Sequence, residues 1–323
     1  MEEILNAADV SVSYPDNSLG IFARKKQKQV LHNVSLSIRR REFFGLVGES
    51  GCGKSTFGNA VLGLVPFGGS IRIDGHDRAA EARPVFTRLV QAVFQDPLGA
   101  LNPKKTVGFT MEEPLRINGI GTPAEREEKV CRMLETVGLD ASCRRRYPQE
   151  LSGGQRQRVC IGAALMLDPR LIIADEAVSA LDVSVGSQVL NLFREIHRDR
   201  ELSLLFISHN LDIVYYMCDR IAVMYRGRIV EQGSADDVYR MPRHPYTRLL
   251  LSSIPVIGAQ DGGRNAENAP LETLRPACSG ACCFYHRCPH AEERCRTMQQ
   301  LLPCGGTEHL VRCWKFADTR NSV

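Results

Sequence analysis

The stretch GESGCGKST, running Gly48-Glu49-Ser50-Gly51-Cys52-Gly53-Lys54-Ser55-Thr56, decides how this chain folds. It follows a nearly all-apolar segment, Phe43 to Val47, and precedes one in which Phe57, Val61 and Leu64 recur at helical spacing. A buried strand, a glycine-rich turn and a helix in that order make a cradle for phosphate. The glycines let successive backbone N–H groups point inward at an anion, and the positive end of the helix adds to the field. Lys54 can reach β- and γ-phosphates, and the Ser55 hydroxyl can sit on Mg2+. Further along, Leu171-Ile172-Ile173-Ala174 reads as a buried strand that ends on Asp175-Glu176. Ligands bind at the carboxyl ends of strands in parallel sheets. Asp175 suits Mg2+ held through its water shell, and Glu176 suits a general base that polarises attacking water. The two elements together imply Mg2+-dependent hydrolysis of a nucleoside triphosphate without saying which kind.

Around these elements the pattern is α/β. Strands are expected at Ile4–Tyr14, Val34–Ile38, Ser70–Ile73, Val90–Phe94, Leu204–Ser208, Ile221–Tyr225 and Arg228–Glu231. Asp74-Gly75 signals a turn. Helices are expected at about 106–138 and 151–167, at Val185–Arg198 and at Leu211–Met217, with Thr122-Pro123 as a helix start. Helices alternating with buried strands imply an α/β core, with a mostly helical insert between about 96 and 160. The basic run Arg24, Lys25, Lys26 and Lys28 reads as a solvated loop, and residues 258–270 as a linker.

Composition narrows the classes. The chain has 323 residues, 43% hydrophobic and 24% charged, which excludes disorder, fibres and coiled coils. Its net charge of +4 is too small to argue for a nucleic-acid partner. The start, MEEILNAADVSVSY, has no apolar core of a secretory signal, and no segment approaches a membrane span, so a cytosolic protein is expected. The cysteines stand apart: of 12, seven lie in the last 46 residues. In a reducing compartment such a cluster reads first as a metal site.

Leu151-Ser152-Gly153-Gly154-Gln155 opens a helix with a serine cap and exposed backbone donors. Lying between the phosphate loop and Asp175, it resembles the signature motif of ATP-binding-cassette (ABC) ATPases. Tyr14, Gln95, Ser179-Ala180-Leu181-Asp182 and His209 fall in order where that family has its other motifs. The resemblance implies a RecA-like P-loop core with an antiparallel β part and a helical subdomain. It implies that Lys54, Gln95, Glu176 and His209 are catalytic. Nucleotide would be held by Tyr14, Gly48, Ser50, Gly51, Cys52, Gly53, Lys54, Ser55, Thr56, Gln95 and Asp175, with Mg2+ on Ser55, Gln95 and Asp175. Ser152, Gly153, Gly154 and Gln155 would close over the ATP of a second cassette, supplied by a partner chain because this one carries a single copy of each motif. Ala177-Val178 departs from the Pro-Thr common in the superfamily and leaves the chemistry untouched. The thiol of Cys52 would be open to alkylation.

Within the family, Val93-Phe94-Gln95-Asp96-Pro97 with Leu101-Asn102-Pro103, the segment Arg243-His244-Pro245-Tyr246-Thr247-Arg248-Leu249-Leu250, and the cysteine-rich tail resemble the peptide/nickel-uptake branch. This implies an ATPase subunit of an importer for oligopeptides or dipeptides, with nickel or metallophore uptake, or a non-import ABC ATPase, as alternatives. The implied partners are a second, homologous ATPase subunit, two transmembrane permeases and an extracytoplasmic solute-binding protein, with no nucleic acid. The chain would sit peripherally on the cytoplasmic face of the membrane. The implied organisation is a nucleotide-binding domain over 1–253 and a linker with a cysteine-rich extension over 254–323. In that extension the branch pattern falls on Cys282, Cys288, Cys295 and Cys313, spaced Cys-x5-Cys-x6-Cys-x17-Cys. These lack the closely spaced pairs of zinc knuckles, and the resemblance implies a [4Fe–4S] cluster, with zinc or free thiols as alternatives. His286, His290 and His309 read as solvated surface.

Overall fold

The computed structural model describes residues 2–15, 27–253, 281–297, 299–304 and 308–317. The expected linker at 258–270, Cys278, and the basic residues Arg24, Lys25 and Lys26 lie outside the described residues. In chain order the elements begin with β1 (Glu3–Pro15), β2 (Gln27–Arg39), β3 (Phe43–Val47) and α1 (Lys54–Leu62). Next come β4 (Gly68–Ile73), β5 (His76–Asp77), α2 (Arg83–Leu89), β6 (Val90–Val93) and α3 (Pro97–Ala100). The helical stretch continues with α4 (Val107–Ile117), α5 (Pro123–Thr136) and α6 (Gly153–Leu165). Then follow β7 (Leu171–Asp175), α7 (Val183–Asp199), β8 (Ser203–Ser208) and α8 (Leu211–Met217). The last are β9 (Arg220–Tyr225), β10 (Arg228–Ser234), α9 (Ala235–Arg240), α10 (Pro245–Ser252), β11 (Leu302–Pro303) and β12 (Leu310–Val311).

The chain forms two compact units. One comprises Met1–Ala8, Leu36–Phe43 and Gly58–Ile207; the other comprises Asp9–Ser35, Phe44–Phe57 and Ser208–Val323.

In the first unit β6, β7 and β8 pair in parallel, with Val93 opposite Ala174 and Asp175 opposite Ile207. Leu171 to Ala174 and Leu204 to Ile207 are at most 1% exposed, which is why these strands read as unbroken apolar runs rather than alternating ones. β4 and β5 form a hairpin through Asp74 (φ 53°) and Gly75 (φ 80°), both in the left-handed region that the tightest hairpin turn requires. The expected helical insert is present, and the helical stretch foreseen over 106–138 consists of two helices, the second starting at Thr122 as expected. Gly119 (φ 65°) and Gly121 (φ 68°) end α4 and turn the chain. Thr122 then restarts it as α5: its hydroxyl accepts the Glu125 N–H, and Glu125 returns a bond to the Thr122 N–H.

In the second unit β3 pairs in parallel with β9, and β9 pairs antiparallel with β10, so the sheet there is mixed. β10 continues antiparallel to β12, and β12 to β11. The edge is therefore extended by residues from near the end of the chain. Among the described residues no helix is long and apolar enough to cross a membrane.

Candidate functional site

The second unit holds the glycine loop. All five residues of β3 are buried, so the strand delivers Gly48 to the sheet's carboxyl end in a fixed position. A Cβ on Gly48 would lie 2.2 Å from the Met224 carbonyl oxygen, so only glycine lets the loop lie this close to β9. Gly53 (φ 114°) makes the turn into α1 next to Leu31 and Gly227. The loop is pinned from below, since the Gly227 N–H donates to the Cys52 carbonyl at 2.7 Å. Lys54 is only 4% exposed, and its Nζ donates to the carbonyls of Gly48 (2.8 Å) and Glu49 (3.0 Å). Ser50, Gly51 and Ser55 are exposed and Thr56 is half-buried, at the N-terminal end of α1 where helix and loop amides converge. The Cys52 thiol is buried, and desolvation raises its pKa, which opposes the alkylation expected of it. Tyr14, half-buried near the end of β1, and His209, exposed between β8 and α8, belong to the same unit. The turn at His209 is set by Asn210, whose side-chain oxygen accepts the N–H groups of Asp212 and Ile213 at 3.0 and 3.2 Å.

The first unit holds the acids and the capped glycine helix. Because β6 and β7 are parallel neighbours in register, Gln95 and Asp175 emerge at the same end of adjacent strands. Gln95 is exposed, just before Asp96, whose carboxylate caps α3. Glu176 has φ 49°, a left-handed conformation uncommon for a residue with a side chain. Its N–H donates to the Ile207 carbonyl (2.9 Å), and its own carbonyl accepts from the Ser179 N–H (3.1 Å) and hydroxyl (2.9 Å). Non-glycine residues held this way concentrate at functional turns. Ala177 and Val178, the departure from Pro-Thr, are 2% and 8% exposed and pack beneath that turn.

Ser152 caps α6. Its hydroxyl accepts the Gln155 N–H (3.3 Å), while the Gln155 side chain accepts the Ser152 N–H (3.0 Å). Ser152 and Gly153 are exposed. A Cβ on Gly154 would come within 2.4 Å of Val185, so this glycine sets how closely α6 packs on α7.

The cysteine expectation is corrected. Among the described residues no group of three or more His, Cys, Asp or Glu side chains could hold a metal ion, which overturns a [4Fe–4S] cluster on Cys282, Cys288, Cys295 and Cys313. The thiols are engaged otherwise. The Trp314 indole N–H donates to Cys295 Sγ at 3.4 Å. A side-chain hydrogen bond from Cys283 lowers the pKa of Cys282 and, with burial, raises that of Cys283. None of the eleven cysteines among the described residues is joined in a disulfide. His309 is corrected as well: it is 4% exposed, and its Nε2–H donates to buried Glu231 at 2.8 Å. The same carboxylate accepts the N–H groups of Arg243 (2.7 Å) and His244 (2.8 Å). His286 and His290 are exposed, as expected.

Sequence reasoning missed two residues that act on the loop. The Tyr246 hydroxyl accepts the Glu49 N–H at 2.9 Å, and Arg287 pairs with the Glu49 carboxylate. Tyr246 lay within a segment already singled out; Arg287 carried no signal.

A strand, glycine turn and lysine-led helix of this geometry define a P-loop nucleotide-binding protein. The family described as ABC transporter matches residues 31–179, and the oligopeptide/dipeptide transporter C-terminal region matches residues 230–295. The chain is 41% identical to the oligopeptide transport ATP-binding protein AppF of Bacillus subtilis, over 98% of each chain. It is 40% identical to the dipeptide transport ATP-binding protein DppF of Escherichia coli, over 99% of this chain and 96% of that one. Among solved structures it resembles cbiO1 of Clostridium perfringens, part of the ABC transporter complex cbiONQ (TM-score 0.64, 25% identity, 75% of this chain and 92% of that one). It also resembles the ATP-binding cassette MJ0796 in a dimeric post-hydrolysis state with ADP and Pi (TM-score 0.63, 26% identity, 72% and 98%). The chain belongs to the ABC transporter ATPase subunits of the peptide-import family. It has the RecA-like P-loop fold of that family, with a mixed sheet and a helical subdomain.

Proposed function

We propose that this subunit hydrolyses ATP to power import of oligopeptides or dipeptides through a membrane transporter. The observation that carries the reading is near full-length similarity to oligopeptide and dipeptide transport ATP-binding proteins in a chain that keeps the whole glycine loop. Residues 1–253 serve as the nucleotide-binding domain and 254–323 as the cysteine-rich C-terminal extension. The subunit works on the cytoplasmic face of the membrane beside a second cassette, two permeases and an extracytoplasmic solute-binding protein.

The residues fit ATP and Mg2+. Exposed Ser55 at the start of α1 and the Asp175 carboxylate at the end of β7 are the hard oxygen donors that Mg2+ takes. When bound, Mg2+ neutralises charge on the β- and γ-phosphates. Tyr14 stacks on the adenine. Amides of Gly48 to Thr56 surround the phosphates, and Lys54 turns its ammonium from the carbonyls of Gly48 and Glu49 toward them. Gln95 orients the water, Glu176 takes its proton as it attacks the γ-phosphorus, the bond from that phosphorus to the β–γ bridging oxygen breaks with ADP as the leaving group, and His209 holds the γ-phosphate. The cap of α6, Ser152 to Gln155, with Ser152 and Gly153 exposed, closes over nucleotide on the partner cassette; the related cassette MJ0796 is itself dimeric.

Reconstitution of the chain with its permeases and binding protein in proteoliposomes tests this reading. ATP-dependent uptake of a labelled dipeptide or oligopeptide is expected; ATP-driven uptake of a nickel chelate with no peptide uptake would replace it.

A further inference from the structure

The glycine loop contains an acid that phosphate binding does not call for. Glu49 is its second residue, and a carboxylate there sets a negative charge beside a site built for a polyanion. The same unit supplies a counter-charge from far along the chain. Arg287 Nη1 lies 3.0 Å from both carboxylate oxygens of Glu49, across a sequence separation of 238 residues. Arg287 closes the 3₁₀ turn Tyr285–Arg287, and its guanidinium lies over the rings of Tyr225 (5.8 Å) and Phe284 (5.9 Å). Those rings pack with Tyr246, centroids 4.5 Å from Tyr225 and 5.6 Å from Phe284, and all three are at most 3% exposed. Glu49 is therefore gripped twice, at its amide by the Tyr246 hydroxyl and at its carboxylate by Arg287.

The Arg287 and Glu49 side chains are 33% and 40% exposed, and a pair so wetted adds little to folding. Its consequence is local charge. A planar guanidinium held by aromatic faces presents its donors in a fixed direction, so the carboxylate is both neutralised and immobilised.

We propose that Arg287 is a positioning residue for nucleotide binding: by neutralising Glu49 it lets the phosphate loop hold a nucleoside triphosphate more tightly, which places loop affinity under the control of the C-terminal segment. The inference rests on ATP being the ligand of the loop. ATP titration of the full-length chain by calorimetry, at low and high ionic strength, tests it. Arg287→Ala is expected to weaken ATP binding about three- to fivefold at low salt and less at high salt, the scale of one unpaired charge facing an anion through solvent. The loss falls on the KM for ATP, with kcat changed by less than about twofold. The double variant Glu49→Gln/Arg287→Ala is expected to regain wild-type affinity, because the uncompensated charge is gone. A residue that merely tethers the tail would leave the double variant as weak as the single one, and that result overturns the proposal, as does an Arg287→Ala affinity equal to wild type. Should Arg287→Ala not fold, Glu49→Gln alone decides: tighter binding supports the proposal and weaker binding overturns it. A wild-type chain that binds no ATP would overturn the nucleotide reading itself, and the proposal with it.

Discussion

The glycine loop at 48–56 and the C-terminal segment at 281–317 are both dense in residues that carry chemistry, yet they relate to sequence in opposite ways. In the loop, order and spacing are the structure. Gly48 and Gly53 stand where a side chain would strike a neighbour, Gly51 takes a left-handed φ of 75°, and Lys54 reaches carbonyls only five and six residues away. In the C-terminal segment, spacing misleads. Two of its polar groups find their partners far along the chain: Glu231 in β10 for His309 and Glu49 in the glycine loop for Arg287. A motif whose partners are its own backbone can be read directly; a cluster whose partners are supplied by topology cannot.

If that contrast holds, damage to the two regions should have different signatures. The largest effect is expected where β10 anchors the C-terminal segment through His309. Glu231→Ala leaves the His309 ring and the amides of Arg243 and His244 without their acceptor in a fully buried site, at a cost of about 3–5 kcal/mol. Urea unfolding should register that loss; a midpoint shift worth under about 1 kcal/mol would mean the site relaxes freely. Next comes Lys54→Ala, which should lower ATP affinity by about 100-fold, the worth of charge-assisted bonds to phosphate. Its thermal midpoint without nucleotide should stay near wild type, so calorimetry separates the two behaviours. A smaller effect is expected from Gly154→Val, which forces α6 away from Val185 and should cost about 1–3 kcal/mol in denaturant. An unaltered stability there would show that α6 and α7 can part without penalty.

The same contrast explains what was legible. β3, β7 and β8 were plain as apolar runs because both faces of each are covered. The turn at Asp74-Gly75 and the start of α5 at Thr122 carry local chemistry in their own side chains. α2 and α10 were not read, since Ala82 makes no side-chain cap and α10 is capped by a histidine ring, outside the usual capping types. α9 spans only six residues, too few for helical periodicity to register. At the site, the glycine loop, the two acids and the serine-capped helix were all visible. The grip of Tyr246 and Arg287 on Glu49 was not, because nothing local to any of these residues announces it.

The proposed mechanism gives the chemistry to the acid after β7, acting on nucleotide held by the glycine loop. Steady-state ATP hydrolysis by Glu176→Gln, beside its ATP affinity, tests it most directly. Hydrolysis should fall by on the order of 10²–10⁴, the usual contribution of a general base, while ATP binding stays within about twofold of wild type. Hydrolysis at the wild-type rate in that variant would show that Glu176 is not the general base.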